Sequence, residues 1–514
     1  MLVHDFLENS AKRLPDKTAL IFQDQRFTYR QIDERSNQLA HALIKAGLKK
    51  GDRVSIFLDN SSDAVISLFG VLKAGGVFST LSSTLKSKKL EYILNNSESS
   101  FLISDWQKHE IISKAVENAR SLKAIIMCGK VKVKTPSSII NKSLIELNTF
   151  INSQPNSKPE IQCIDIDLAN IIYTSGSTGN PKGVMMTHLN MASAATSITQ
   201  YLENCESDII LNVLPLSFDY GLYQIIMAFK FGGTVVLEKS FAYPYVAIDK
   251  MIKEKVTGFP GVPTIFAILL QLKDLKKYNF KHLRYITNTG AALPVNHIKA
   301  LGEIFPHVKI YSMYGLTECK RVSYLPPEEI DKRPTSVGKG MPNEEVYIVN
   351  EKGEKAGPGV VGELVVRGSN VMRGYWKSPE ETDEVLKPGI YPGEKVLYTG
   401  DLFKMDEDGY LYFVARKDDL IKTRGERVSP KEVENTLHEI DGVAEAAVIG
   451  VPDEVLGKAI KAFIVTNNGS KLEKKEVIKY CSNNLEYFMV PKYIEFVDSF
   501  KKTSSGKIDK KVLK

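Results

Sequence analysis

Apolar and polar residues alternate along the first part of the chain in blocks that predict helices and strands in turn. Residues 29–46 carry apolar side chains at helical spacing and stop at Gly47, whereas residues 54–58 form a short apolar run typical of a buried strand. A second helical block covers residues 64–74 and ends at Gly75. Repeated alternation of this kind predicts a parallel sheet covered by crossover helices.

The alternation resumes near residue 169 and continues to about residue 310. Strands are predicted at 170–173, 209–214 and 234–237, and helices at 190–201 and 223–231. Residues 130–158, between the two alternating regions, are rich in Lys and Ser and have weak periodicity. We interpret them as a variable surface connection.

The pattern changes near residue 345 to short strands separated by Gly and Pro turns, which predicts a small β-rich subdomain. Residues 419–514 again mix helices and strands, and they follow a polar run at 416–419 that predicts a hinge. The fold class is therefore α/β plus β. We predict a large N-terminal domain, residues 1–417, with βα-alternating and β-rich subdomains, and a small mobile α+β C-terminal domain, residues 418–514.

Composition narrows the classes of partner. The chain has 514 residues, of which 43% are hydrophobic and 25% charged, as in ordinary globular proteins. A net charge of +7 is too small over this length to predict nucleic acid or an anionic membrane as partner. No apolar stretch approaches the ~18 residues that would predict a membrane span. The five cysteines include no CxxC pair, which indicates reduced thiols and a cytoplasmic protein.

Residues 173–183, with the sequence YTSGSTGNPKG, give the strongest local signal for chemistry. Small residues let a ligand approach the backbone, successive N–H groups can bind an anion, and Lys182 adds a positive charge. The loop therefore suits a polyphosphate. It is not a P-loop, because Gly176 and Lys182 have the wrong spacing and Gly183 stands where Ser or Thr should follow the Lys.

Further motifs follow in order along the chain. They are LKAG at 72–75, YGLTE at 314–318, GEL at 362–364, YTGD at 398–401, the run 416–434 and Gly506-Lys507. Together with loop 173–183, they resemble the adenylate-forming enzyme superfamily of acyl- and aryl-CoA synthetases, luciferases and nonribosomal peptide synthetase adenylation domains. The chain is most similar in kind to stand-alone acyl- or aminoacyl-AMP ligases.

The resemblance implies a ligase that uses ATP and Mg²⁺ to convert a carboxylic acid to its acyl-adenylate with release of pyrophosphate. Transfer to a pantetheine thiol, on CoA or on a carrier protein, would follow. The implied nucleotide-binding residues are Thr174, Ser175, Gly176, Ser177, Thr178, Lys182, Gly290, Ala291, Ala292, Tyr314, Gly315, Thr317, Asp401 and Arg416. Asp401 would accept both ribose hydroxyls, since a carboxylate has two acceptor oxygens. Glu318 would bind Mg²⁺, a hard cation that prefers oxygen ligands.

Lys507 is the principal catalytic residue that the resemblance implies. Glu318 and Thr174 are the other two. Attack of a carboxylate on the α-phosphate brings two anions together, and a cation that touches both stabilises the developing charge. Without the resemblance, Lys507 would be one lysine of a basic tail. Asp418 matches the hinge of the family, and rotation there would exchange the Lys507 face for the face at 416–427.

The acid substrate is predicted from three residues besides Lys507. Many acyl- and aryl-CoA synthetases have His where Phe218 stands, whereas amino-acid-activating domains have a Phe-Asp pair whose Asp binds the substrate ammonium. Asp219 fits that role, or else it caps the following helix or pairs with an Arg. Arg321 is predicted to line the acid pocket, where it favours a polar or second acidic group, or to pair with Asp219.

The predicted substrate is therefore an amino acid or a small polar acid. One alternative is an acyl- or aryl-CoA synthetase for a non-amino acid, and another is a luciferase-like monooxygenase. A third, of a different class, is a catalytically silent nucleotide-binding protein; loss of Lys507 or Glu318 would have favoured it, and both residues are present.

Overall fold

The computed structural model describes residues 1–129, 143–174, 180–417, 419–423, 426–453, 456–467, 470, 472–503 and 506–513. Its helices, in chain order, are Val3–Arg13 (α1), Tyr29–Lys45 (α2), Ser62–Lys73 (α3), Ser87–Asn96 (α4), His109–Val116 (α5), Leu147–Ile151 (α6), His188–Tyr201 (α7), Asp219–Phe231 (α8), Pro244–Lys253 (α9), Pro263–Leu270 (α10), Val295–Ile304 (α11), Pro379–Val385 (α12), Pro430–His438 (α13) and Lys474–Asn484 (α14). Across these ranges, no helix combines the length and the apolar character needed to cross a bilayer.

The strands belong to several sheets. In chain order they are Thr18–Phe22 (β1), Gln25–Thr28 (β2), Arg53–Phe57 (β3), Val77–Thr80 (β4), Ser99–Asp105 (β5), Ala124–Cys128 (β6), Ser143–Glu146 (β7), Leu168–Thr174 (β8), Lys182–Thr187 (β9), Ile209–Asn212 (β10), Thr234–Leu237 (β11), Gly258–Gly261 (β12), Tyr285–Asn288 (β13), Lys309–Tyr314 (β14), Ser323–Tyr324 (β15), Lys339–Gly340 (β16), Glu344–Val349 (β17), Gly362–Gly368 (β18), Gly374–Tyr375 (β19), Leu386–Pro388 (β20), Lys395–Met405 (β21), Leu411–Arg416 (β22), Ile421–Thr423 (β23), Glu426–Val428 (β24), Val443–Asp453 (β25), Gly457–Thr466 (β26) and Tyr493–Phe496 (β27).

Two large, mainly parallel sheets form the body of the protein. One has the strand order β19-β9-β8-β4-β3-β5-β6-β7, and the other has the order β16-β15-β14-β13-β12-β10-β11-β1-β2. Helices α1, α2, α3, α7 and α8 contribute apolar faces to the core that these sheets share. The predicted α/β architecture is confirmed.

The remaining strands form two smaller sheets. Strands β17, β18, β20, β21 and β22 pair antiparallel, and they make up the predicted β-rich subdomain. Strands β23 to β27 form a sheet that packs with α13 and α14 around a hydrophobic core of its own. The division into domains at residues 417 and 418 stays a prediction, because Asp418 lies outside the described residues.

Local sequence explains why the elements begin and end where they do. At the start of α2, the Thr28 hydroxyl accepts the Gln31 N–H at 3.2 Å, and the Gln31 side chain accepts the Thr28 N–H at 2.9 Å. This reciprocal capping satisfies two of the N–H groups that a helix start leaves unpaired. The apolar residues Ile32, Leu39 and Leu43 of the same helix are then fully buried, as their spacing predicts.

Strand direction places the site. Strands β10, β12, β13 and β14 are parallel, so their carboxyl ends lie at one edge of the sheet. The segments that follow three of these strands, residues 213–218, 289–292 and 315–321, therefore emerge together. They contain Phe218, Gly290 and Glu318.

Two predictions about local structure were wrong. Residues 143–151 are not an irregular connection, because β7 extends the first sheet and Leu147 and Ile151 of α6 are buried in the main core. The Glu146 carboxylate begins α6 by accepting two backbone N–H groups, a cap that weak periodicity does not reveal. Helix α8 begins at Asp219, four residues earlier than predicted.

Candidate active site

A cavity of about 1630 Å³ opens at the carboxyl edge of the β10 to β14 strands and extends to the C-terminal residues. It brings together all the predicted site residues that the structure describes. They are Thr174, Lys182, Phe218, Asp219, Gly290, Ala291, Ala292, Tyr314, Gly315, Thr317, Glu318, Arg321, Asp401, Arg416 and Lys507. The remaining predictions, Ser175, Gly176, Ser177, Thr178 and the hinge Asp418, lie outside the described residues.

Asp401 is fixed by two side chains from other strands. The Tyr314 hydroxyl donates to Asp401 Oδ2 at 2.6 Å, and Arg416 Nε donates to Asp401 Oδ1 at 3.1 Å. Burial and the Asp401 carboxylate raise the pKa of Tyr314 well above its usual value, so the phenol stays protonated and remains a donor. The result is an oriented carboxylate, 4% exposed, at the cavity wall.

Two of the residues predicted to bind the ATP phosphates lie on neighbouring antiparallel strands. Strands β8 and β9 are antiparallel and pair Thr174 with Lys182, so these two residues stand on either side of the sequence 175–179. Lys182 is the first residue of β9. Its ammonium group lies 2.8 Å from a carboxylate oxygen of Glu381. Any phosphate that recruits Lys182 must compete with that carboxylate.

Glu318 is also held by a partner from a distant strand. The Tyr375 hydroxyl donates to Glu318 Oε1 at 2.8 Å. Burial and the Glu318 carboxylate raise the pKa of Tyr375, so this phenol too stays protonated. The carboxylate is thereby anchored at the cavity and available to a cation.

Lys507 reaches the cavity from the C-terminal part of the chain. Its Cε lies 3.5 Å from the position that a Cβ would occupy at Gly290, a residue whose φ of +86° favours glycine. The Thr264 hydroxyl donates to the Gly506 carbonyl at 3.3 Å, which ties the neighbouring backbone to α10. Loss of contact with water and the positive charge of Arg416 lower the pKa of Lys507. The carboxylates of Asp219, Asp401 and Glu318 act in the opposite direction.

The predicted acid region lies at the start of α8. Asp219 is the first residue of this helix, and its Oδ1 accepts the Tyr220 N–H at 2.9 Å. A carboxylate is favourable at that end of a helix dipole. Asp219 and Arg321 have different neighbours, and the described part of the chain does not contain the direct Asp219–Arg321 pair that was one predicted alternative. Arg321 instead lies over the Tyr220 ring, 5.2 Å from its centroid.

Comparison with known proteins agrees with this geometry. Residues 7–376 match the AMP-binding enzyme family, and residues 432–507 match the AMP-binding enzyme C-terminal domain. A long-chain-fatty-acid–CoA ligase of Bacillus subtilis (strain 168) is 33% identical, over 98% of this chain and 93% of the relative. The chain belongs to the adenylate-forming superfamily.

Two solved structures share the fold of this AMP-binding enzyme closely. The anthranilate CoA ligase AuaEII in complex with anthranoyl-AMP superposes with a TM-score of 0.90 at 29% identity, over 99% of this chain and 95% of that one. ATP-bound MatB from Rhodopseudomonas palustris gives a TM-score of 0.88 at 27% identity, over 100% and 98% of the two chains.

The predicted reaction class is confirmed at this level. The enzyme is an AMP-forming ligase that activates a carboxylic acid as its acyl-adenylate. The alternative of an acyl- or aryl-CoA synthetase for a non-amino acid is compatible with the same relatives.

Sequence reasoning missed several residues of this enzyme that shape the cavity. Tyr375 lies 57 residues from its partner Glu318, and no local pattern connects the two. Glu381 is still more remote in sequence from its partner Lys182. Lys320 could have been proposed as a cavity residue from the sequence, since it stands between YGLTE and Arg321. A lysine beside a motif is, however, usually solvated.

Proposed function

We propose that this enzyme activates a small carboxylic acid with ATP and passes the acyl group to CoA, and that Lys507 is its catalytic residue. The observation that carries this assignment is the position of Lys507. It lies at Gly290, in the cavity that Asp401, Glu318 and Asp219 also line.

The proposed first step joins the acid to the nucleotide. A carboxylate oxygen attacks the α-phosphorus of ATP and forms an acyl–phosphate anhydride bond, while the bond from that phosphorus to the pyrophosphate oxygen breaks. Both reactants are anions, and the Lys507 ammonium group would stabilise the charge on the carboxylate and the α-phosphate together. Asp401 would hold the ribose hydroxyls, and Thr174 and Thr317 would contact the phosphates.

The proposed second step releases AMP. The sulfur of CoA, after loss of its proton, attacks the acyl carbonyl carbon and forms the thioester, and the bond from that carbon to the AMP oxygen breaks. We favour CoA over a carrier protein because the relative from Bacillus subtilis and the AuaEII structure are both named as CoA ligases.

Glu318 fits a Mg²⁺ ion that travels with the nucleotide. Within the described ranges, no group of three or more His, Cys, Asp and Glu side chains could hold a metal. Mg²⁺ does not need such a group, since it commonly takes one or two carboxylates and completes its shell with water and phosphate oxygens. The ion would neutralise phosphate charge, and Glu318, oriented by Tyr375, would bind it.

Exchange of labelled pyrophosphate into ATP tests the proposal, because it reports adenylate formation alone. We expect acid-dependent exchange in the native enzyme and a loss of about 10²- to 10³-fold in Lys507→Ala, the range typical for one transition-state donor. The matched control is Lys501→Ala, an exposed lysine of the same segment, which should exchange normally. Absence of exchange with every acid, or an unaffected Lys507→Ala, would contradict the proposal.

A further inference from the structure

Arg321 is a buried cation that contacts the aromatic residues Tyr220 and Tyr201 and pairs with no carboxylate among the described residues. The residue is 5% exposed and lines the cavity. Its Nε and Nη1 atoms are buried and have no hydrogen-bond partner among the described residues. Leaving a buried guanidinium unpaired is costly, and buried charges in proteins are normally paired. A ligand group that accepts a hydrogen bond from either of these nitrogens would reduce the deficit.

The neighbouring Lys320 adds a second buried cation. It is 6% exposed, and its ammonium group donates to the Thr317 carbonyl at 3.0 Å. Burial lowers the pKa of Lys320, while Asp219 and Glu318 oppose that change. Its φ is +71°, a conformation that non-glycine residues seldom adopt. The turn therefore presents two cations to one cavity at the expense of backbone strain.

Acidic side chains do not balance these charges. Asp219, 8% exposed, already accepts the Tyr220 N–H, and its charge acts on both Lys320 and Lys507. Glu318 is engaged by Tyr375. Because Asp219 already interacts with two lysine charges, it does not need a substrate ammonium group as its counter-charge, which weakens the case for an amino acid.

The walls around Arg321 restrict what can reach it. Aromatic and apolar side chains also line the cavity, among them Tyr220, which lies under the guanidinium group, and Ile198, Tyr223, Met227, Met313 and Val337. They would pack against a short carbon skeleton. A long alkyl chain directed here would bury the guanidinium against hydrocarbon, the least favourable environment for it.

We propose that the acid substrate is a short dicarboxylate, with one carboxylate activated at Lys507 and the other bound by Arg321. The planar guanidinium group matches a carboxylate with two parallel hydrogen bonds, which Nη2 gives together with Nε on one side of the group or together with Nη1 on the other. Lys320 acts as a specificity residue that adds positive potential behind Arg321. This inference rests on the proposed function and names its substrate class.

A substrate panel on the native enzyme provides the first test. Pyrophosphate exchange is measured with succinate, glutarate, adipate and phthalate, and with the matched monoacids butyrate, valerate, hexanoate and benzoate. We expect at least one dicarboxylate to exceed its matched monoacid at least tenfold in kcat/KM. Monoacids that equal or exceed every dicarboxylate would overturn this inference and leave the proposed function intact. No exchange with any acid would instead count against the proposed function.

Variants of the pocket provide the second test. Arg321→Met keeps much of the side-chain volume and removes the charge, so kcat/KM for the preferred dicarboxylate should fall about 10²- to 10³-fold, mainly through KM, while monoacid activity stays or rises. Lys320→Met should give a smaller loss of the same selectivity. The control is Arg373→Met, an exposed arginine outside the cavity.

A structural role for Arg321 would give a different result. Equal losses for dicarboxylates and monoacids in Arg321→Met, with a lowered melting temperature, would overturn the inference. Should that variant fail to fold, Lys320→Met and the native panel decide. Unchanged selectivity in Lys320→Met, together with a flat panel, would also refute the assignment.

Discussion

The hydroxyl of Tyr314 and the guanidinium of Arg416 hold Asp401 in place from opposite oxygens. Each oxygen of a carboxylate has more than one acceptor direction, so both can still receive ribose hydroxyls. The pair therefore orients Asp401 without blocking it. This arrangement makes Tyr314 a positioning residue for the nucleotide in our assignment.

Replacement of Tyr314 by Phe should weaken ATP binding selectively. Loss of one hydrogen bond to a carboxylate costs about 1.5 to 3 kcal/mol, which corresponds to roughly a 10- to 100-fold rise in the KM for ATP. The KM for the acid should stay within about twofold. Steady-state kinetics with each substrate varied in turn measure both constants. Tyr243→Phe, at a 77% exposed tyrosine, is the control, and equal effects on both KM values would argue against the assignment.

Residues within continuous motifs could be predicted from sequence, and their partners could not. Glu318, Asp401 and Lys182 stand in recognisable runs, and the structure places all three at the cavity. Their partners Tyr375 and Glu381 come from another segment that only folding brings near. The unpaired state of Arg321 was likewise hidden, since it depends on which acidic side chains fail to reach it.

Among the elements, the connection between β22 and β23 carries the predicted motion. Strand β22 ends at Arg416, and Asp418 follows within two residues. Our expectation is that rotation at Asp418 replaces the Lys507 face with the face at 416–427 between the two half-reactions. Adenylate formation and thioester formation can be assayed separately.

Asp418→Pro should spare adenylate formation and stop thioester formation. Proline fixes φ near −65°, which removes the rotation that the second step requires. Pyrophosphate exchange measures the first step, and CoA thioester release measures the second. Asp418→Ala keeps backbone freedom and should retain both activities. Loss of both steps alike in Asp418→Pro would refute the hinge.

Elements with strong periodicity were predictable, and those defined by capping or pairing were less so. The predicted helix at 29–46 corresponds to α2, because burial and propensity agree there. By contrast, α6 has only five residues, and it exists because Leu147 and Ile151 find the main core. The early start of α8 depends on Asp219 at a position with little apolar pattern.

At the scale of the whole molecule, α11 of the body meets α13 of the C-terminal part through two histidines. The His297 and His438 rings lie 6.4 Å apart, and Asn296 Nδ2 donates to the His438 carbonyl at 3.1 Å. Burial, with Lys431 and His297, lowers the pKa of His438 to about 3. Burial also lowers the pKa of His297. Both rings are therefore neutral in the docked arrangement at neutral pH.

Mild acid should consequently weaken docking. An undocked His438 has a pKa near 6.5, so docking loses free energy as the pH falls below that value, by up to about 1.4 kcal/mol per pH unit. Above pH 6.5 the contribution is complete. We expect pyrophosphate exchange to fall several-fold between pH 7 and pH 5.5, and to fall less in the His297→Gln, His438→Gln double variant. Identical pH profiles for the two proteins would contradict this prediction.

Arg416 connects the nucleotide to the hinge. The Arg416 side chain contacts Asp401, and Arg416 is also the last residue of β22, two residues before residue 418. If Asp401 binds the ribose as proposed, occupancy of that site and orientation of the C-terminal part are thermodynamically linked. Linkage is reciprocal, so the factor by which bound nucleotide favours one orientation equals the factor by which that orientation strengthens nucleotide binding. Retention of ATP and release of AMP then both depend on the equilibrium between the two orientations of the C-terminal part. A substitution that shifts this equilibrium changes both.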